Sequence, residues 1–167
     1  MTTTDEAIAM WQTARKITIA ELENIPEEQW DFRPGDGART LREIARHILE
    51  ASVGFVREVV SDEPSFARIF KPETRAQFAN DCPEKSAKKD AIEQFNAAFA
   101  DDMKKLHDKG DLAVQTMTLM KQTQSRLTGL WFAIGHEMYH RGQLATYARA
   151  LGHVPAMTQQ SQAAAKK

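Results

Sequence analysis

The segment Gly135-His136-Glu137-Met138-Tyr139-His140-Arg141-Gly142-Gln143-Leu144 carries two histidines four residues apart. On an α-helix, at about 100° per residue, His136 and His140 stand one turn apart on the same face. Two imidazoles placed in this way can chelate one metal ion with little loss of side-chain freedom. Their row continues through Gly129 and Ala133 in one direction and through Gln143 and Tyr147 in the other. Small residues below the pair would leave room for an ion and its water. A pair of half-exposed helix histidines would show the same spacing, so the surroundings must decide.

Residues 136–140 spell H-E-x-x-H, the zinc-peptidase pattern in which two histidines bind zinc and the glutamate is the general base. That reading fails on the rest of the chain. The extended form of the pattern needs glycine where Gln143 stands and histidine where Thr146 stands. The forms completed by a carboxylate fail too, because no Asp or Glu follows Glu137. Nor is there a strand pattern on which to hold an extended peptide. A third ligand must come from upstream, and His47 is the candidate. It borders the apolar stripe of its own helix and is followed along its row by the small residues Ala51 and Gly54. A lone histidine there also reads as a hydrogen-bonded structural residue. An otherwise apolar helical protein, however, seldom points histidines inward from two helices without giving them a partner.

Positioning these side chains falls to helices. Alanine is abundant, β-branched residues are sparse, and the 8 glycines and 6 prolines lie between long uninterrupted stretches. A first helix is expected over about 5–24, with Ile8, Trp11, Ile19 and Leu22 near one face. Thr40-Leu41-Arg42-Glu43 reads as a capping box opening a second helix that runs to about Val60. Residues 61–83 contain Pro64, Pro72 and Pro83 and read as a long connection. A third helix is expected over about 84–109 with Gly110 as its cap, and a fourth over about 125–151, stopped by Gly152. Residues 111–124 are ambiguous in pattern, and the polar, Ala-rich tail 156–167 is expected to be flexible. The expectation is an all-α four-helix bundle forming one domain over 1–167, with its core at about 5–155 and a long connection between helices 2 and 3.

Composition narrows the function further. The chain has 167 residues and a formal net charge of −1, which argues against a dedicated nucleic-acid binder. No stretch is apolar enough to cross a bilayer. The single cysteine, Cys82, excludes an intrachain disulfide and a multi-cysteine zinc site. With one thiol and no secretory signal in view, a reducing cytoplasm is the expected compartment. His107 and His153 lie near helix C-termini, where a cation is favoured, and read as surface residues. Glu43 and Glu50 read as solvated helix positions.

His47 within L-x-x-I-A-x-H-I-L-E, H-E-M-Y-H-R-G-Q-L, and then Y-A-R-A-L-G resemble the DinB (YfiT-like) superfamily. The resemblance spans about 30–155, and the paired pattern H-x-x-x-H-R-G-Q is its most specific part. It implies a four-helix bundle, a homodimer, and a divalent metal, zinc or nickel, held by His47, His136 and His140. It also implies enzymes that use low-molecular-weight thiols such as bacillithiol, mycothiol or glutathione, and it does not imply DNA binding.

Three neutral imidazoles leave a metal with open positions, the arrangement of catalytic rather than structural sites. Such a metal could deprotonate a thiol or a water for attack on a small electrophile. Nitrogen donors also suit iron and copper. Glu137 is then expected to serve as the proton acceptor, and Gln143 and Tyr147 to orient substrate or bound water. The alternatives are a non-catalytic metal-binding stress-response protein and an oligomeric scaffold.

Overall fold

The structure is a computed structural model that describes residues 3–73 and 87–166. Helix α1 spans Thr4–Glu23 and α2 spans Leu41–Val60, each opened by a reciprocal capping box. In α2 the Glu43 amide donates to Thr40 Oγ1 at 3.1 Å and the Thr40 amide donates to Glu43 Oε2 at 2.7 Å. Two of the amides that a helix start leaves unpaired are thereby satisfied. Helix α3 spans Lys88–Lys109 and ends at Gly110, whose φ of 77° is readily adopted only without a Cβ. Helix α4 spans Arg126–Ala150, with the Ser125 hydroxyl accepting from the Thr128 amide.

The helices pack α2 against α4 and α3, and α1 against α4 and α3. Two buried apolar groups fill the space between them. One includes Trp11, Phe55, Leu106 and Leu130, the other Trp30, Ile44, Phe95 and Leu144. Fully burying each such side chain contributes about 1.5–3 kcal/mol. The charged residue Arg15 sits where the groups meet. Its guanidinium lies 4.9 Å from the ring centres of both Phe95 and Phe99.

Two expectations need correction. The ambiguous stretch 111–124 leads into and forms most of a β-hairpin, Thr116–Leu119 (β1) antiparallel to Gln122–Ser125 (β2), so the protein is mostly helical rather than all-α. The turn residues Met120 and Lys121 both have positive φ, 49° and 66°, which matches the strand twist but without the usual Asn-Gly. Met117 of β1 packs onto Gly129 of α4, where an added Cβ would run into its sulfur. The tail is also structured. Helix α5 spans Ala156–Ala164, and the buried Glu21 carboxylate of α1 accepts from the Ala156 and Met157 amides at 2.9 and 3.1 Å. This is an N-terminal cap supplied from a distant helix.

Within the expected connection 61–83, Phe66–Phe70 form a 3-10 turn. Residues 74–86, with Cys82 and the expected start of the third helix, lie outside the described residues. Among the described residues, no helix is long and apolar enough to cross a membrane.

Candidate metal centre

His47 comes from the middle of α2, and His136 and His140 from successive turns of α4. Buried Ile44 and Ile48 seat α2 in the core, which leaves His47 on the margin that α4 faces. The three rings converge. Ring centres are 5.0 Å apart for His47 and His136, 4.6 Å for His47 and His140, and 4.5 Å for His136 and His140. One nitrogen from each ring lies within 4.8 Å of the other two. A tetrahedral ion with bonds near 2.0–2.1 Å sets its ligand nitrogens about 3.3 Å apart, so the rings are within a small rotation of closure. Among the described residues, no other group of three or more His, Cys, Asp or Glu converges in this way.

The electrostatics suit metal binding. Burial pushes His136 down to about 4, and the neighbouring His140 and the Arg39 charge push the same way. Burial also lowers His140, opposed by its hydrogen bond to Gln143. Both rings are therefore neutral at pH 7, with lone pairs available. Gln143 Oε1 lies 2.8 Å from His140 Nδ1. A carbonyl oxygen can only accept, so Nδ1 carries the proton and Nε2 is left for an ion. Three imidazole nitrogen donors around a partly open point fit a divalent transition metal.

The three predicted ligands thus come together, but the residues expected to assist them do other work. Glu137 does not flank the site. Its carboxylate is 1% exposed and turns toward α1. It accepts from Arg15 Nε and Nη2, both at 2.9 Å, and from Trp11 Nε1 at 2.7 Å. A proton acceptor must be free to reach substrate; this one is held in a buried ion pair. Gln143 orients the His140 ring. The Tyr147 hydroxyl donates to the Arg39 carbonyl at 2.9 Å and so anchors the loop that enters α2. The space expected below the histidines at Gly129 is filled by Met117.

His107 is exposed, as expected. His153 instead lies 2.6 Å from Gln29 Oε1. Glu50 is paired with Arg46 at 2.7 Å.

Two features escaped the sequence reading. One is Arg15, a cation on the apolar stripe between Trp11 and Leu22, where a charge signals a buried partner. The other is Arg39, which together with His47 and His136 lines a cavity of about 420 Å³. Nothing in the loop Arg33–Thr40 marks Arg39 out from Arg33 beforehand.

The model of the DinB family matches residues 1–166. The chain belongs to the DinB family. Solved DinB-like structures share the fold across almost the whole chain. A DinB-like protein from Bacillus cereus ATCC 10987 is 16% identical, with a TM-score of 0.71, covering 92% of this chain and 95% of that one. A DinB-like protein from Bacillus subtilis is 18% identical, with a TM-score of 0.66, covering 89% and 94%. At such identities the likeness shows a shared DinB fold and leaves activity to be argued from the site. No curated protein matches the chain.

Proposed function

We propose that this DinB-family protein is a metal-dependent enzyme of the thiol S-transferase or hydrolase type, acting on a small electrophile from a four-helix bundle. The observation that carries the reading is the convergence of His47, His136 and His140 from two helices beside an open cavity. A divalent ion held there, zinc or nickel first and iron or copper with the same donors, supplies Lewis acidity that lowers the pKa of a thiol or water at its open position. The protein's own part is positional. Gln143 fixes the His140 tautomer, burial keeps His136 neutral, and Tyr147 fixes the loop at the cavity edge. With a single cysteine in the chain, the sulfur for a transfer reaction arrives as a low-molecular-weight thiol cosubstrate. The reading includes a homodimer in the cytoplasm, supported by the family resemblance and the scarcity of cysteine.

The test is elemental analysis of protein purified without an affinity histidine tag, alongside His47→Ala and His136→Ala. The expected result is a stoichiometric transition metal in the parent that both variants lose. Metal retained in both variants would overturn the three-histidine site. A conjugation screen of epoxides and alkyl halides with bacillithiol, mycothiol and glutathione then separates transfer from hydrolysis, and sedimentation reads the dimer.

A further inference from the structure

Four arginines line the polar cavity of about 500 Å³ that reaches His47 from the α2 entry loop: Arg33, Arg39, Arg42 and Arg46. Three have acidic partners. Arg42 grips Asp31 through two bonds of 2.7 and 2.9 Å, Arg46 meets Glu50 at 2.7 Å, and Arg33 approaches Glu43 at 3.9 Å. Among the described residues no carboxylate pairs with the Arg39 guanidinium, although its backbone is held by Tyr147. Arg39 also borders the second cavity, about 420 Å³, which it shares with His47 and His136. The rest of that wall is apolar, with Phe55, Ile69, Phe70 and Phe132, except for Glu50, whose carboxylate is engaged by Arg46.

A cation beside a site suited to binding another cation is unfavourable unless an anion joins them. Like charges facing one cavity repel, and the two acids that share these cavities with Arg39, Glu43 and Glu50, pair with Arg33 and Arg46, so four arginines face three acids once Asp31 is included. Such a surplus is what a bound anion would neutralise, and the guanidinium fork suits a carboxylate or a phosphonate. The aromatic wall adds the second requirement, because burying it against a purely polar ion would gain nothing.

We propose that the cavity takes a small anion with an apolar body, of the aryl-carboxylate class. Arg39 binds the anionic group, the apolar body lies on Phe55, Ile69 and Phe132, and the opposite edge meets the histidines. The proposal deepens the enzyme reading by naming its substrate class, and it rests on that reading only for the histidine end.

The test is calorimetric titration with 3-phenylpropionate, 3-phenylpropanamide and acetate, on metal-loaded and on chelator-treated protein. Phenylpropionate is expected to bind about tenfold or more tighter than its neutral amide, and also more tightly than acetate. Arg39→Gln should remove the preference over the amide, and Arg39→Lys should restore part of it. Phe132→Ala should weaken phenylpropionate and leave acetate unchanged. Arg39 is exposed, so its variants should melt with the parent. Equal binding of acid and amide, an undiminished preference in Arg39→Gln, or no binding of either aryl probe at millimolar concentration would overturn the inference. The two readings fail separately. Protein that takes up no metal sinks the enzyme proposal, while a carboxylate preference that still depends on Arg39 leaves the anion site standing.

Discussion

Replacing Glu137 with Gln turns one carboxylate oxygen into an amide nitrogen, in a place where every neighbouring group is a donor. Glu137 Oε1 accepts from Arg15 Nε at 2.9 Å, while Oε2 accepts from Arg15 Nη2 at 2.9 Å and Trp11 Nε1 at 2.7 Å. A glutamine oxygen in the first position keeps one bond and sets its NH2 against two donors; the flipped amide keeps two bonds and opposes one. Either way Arg15, 1% exposed, loses its counter-charge. Its remaining contacts, the Ser52 hydroxyl at 2.9 Å and the Phe95 carbonyl at 3.4 Å, are neutral. Breaking one side of a buried pair costs about 3–5 kcal/mol. In a protein of this length each kcal/mol moves the melting temperature by about 2–4 °C, so a fall of about 10 °C is expected. The assay is paired thermal and urea unfolding of the parent, Glu137→Gln, and Arg15→Met combined with Glu137→Leu. The double variant should recover much of the loss, because it leaves no uncompensated charge. A proton acceptor at the metal site would behave in the opposite way, with turnover lost and stability kept. Melting of Glu137→Gln within about 2 °C of the parent would refute the structural role.

Packing and burial set two more expectations. Gly129→Ala sets a Cβ against the Met117 sulfur and Val59, so overpacking should cost about 1–3 kcal/mol, read as a lower urea midpoint at unchanged slope. Asp102 is 2% exposed with Oδ2 unpartnered among the described residues, and burial raises it from 3.8 to about 7 despite the nearby Arg15 and Lys105. The folded state then binds the proton more tightly than the unfolded state, so stability falls as pH rises from about 4 to about 7, by on the order of 3 kcal/mol. Asp102→Asn should therefore gain on the parent in urea midpoint at pH 8 relative to pH 4.5; the same difference at both values would contradict this.

The helices were legible because their signals are local. The Thr40–Glu43 box and the apolar steps of α2 place its ends at Leu41 and Val60, and Gly110 and Gly152 stop α3 and α4 close to where expected. The His136–His140 pair was legible for the same reason, since helical spacing fixes which side chains share a face, whereas His47, on another helix, came from the need for a third donor and from the family resemblance. What stayed hidden depends on partners far away in the chain. Helix α5 is capped by Glu21, and the hairpin turns on Met120 and Lys121, residues that carry no turn signal. The direction of Glu137 depends on where Trp11 and Arg15 of α1 lie around α4, and periodicity within α4 does not contain that information.

In this helix the five letters H-E-x-x-H record two unrelated demands made on adjacent faces of one rod. The histidines answer to a third histidine on α2, while the glutamate answers to a tryptophan and an arginine in the interior. The two sides can therefore drift apart over evolutionary time. A descendant with no use for the histidine cluster could replace both histidines and still need the glutamate in order to fold. A string search would then lose the protein, although the constraint on its interior had never changed.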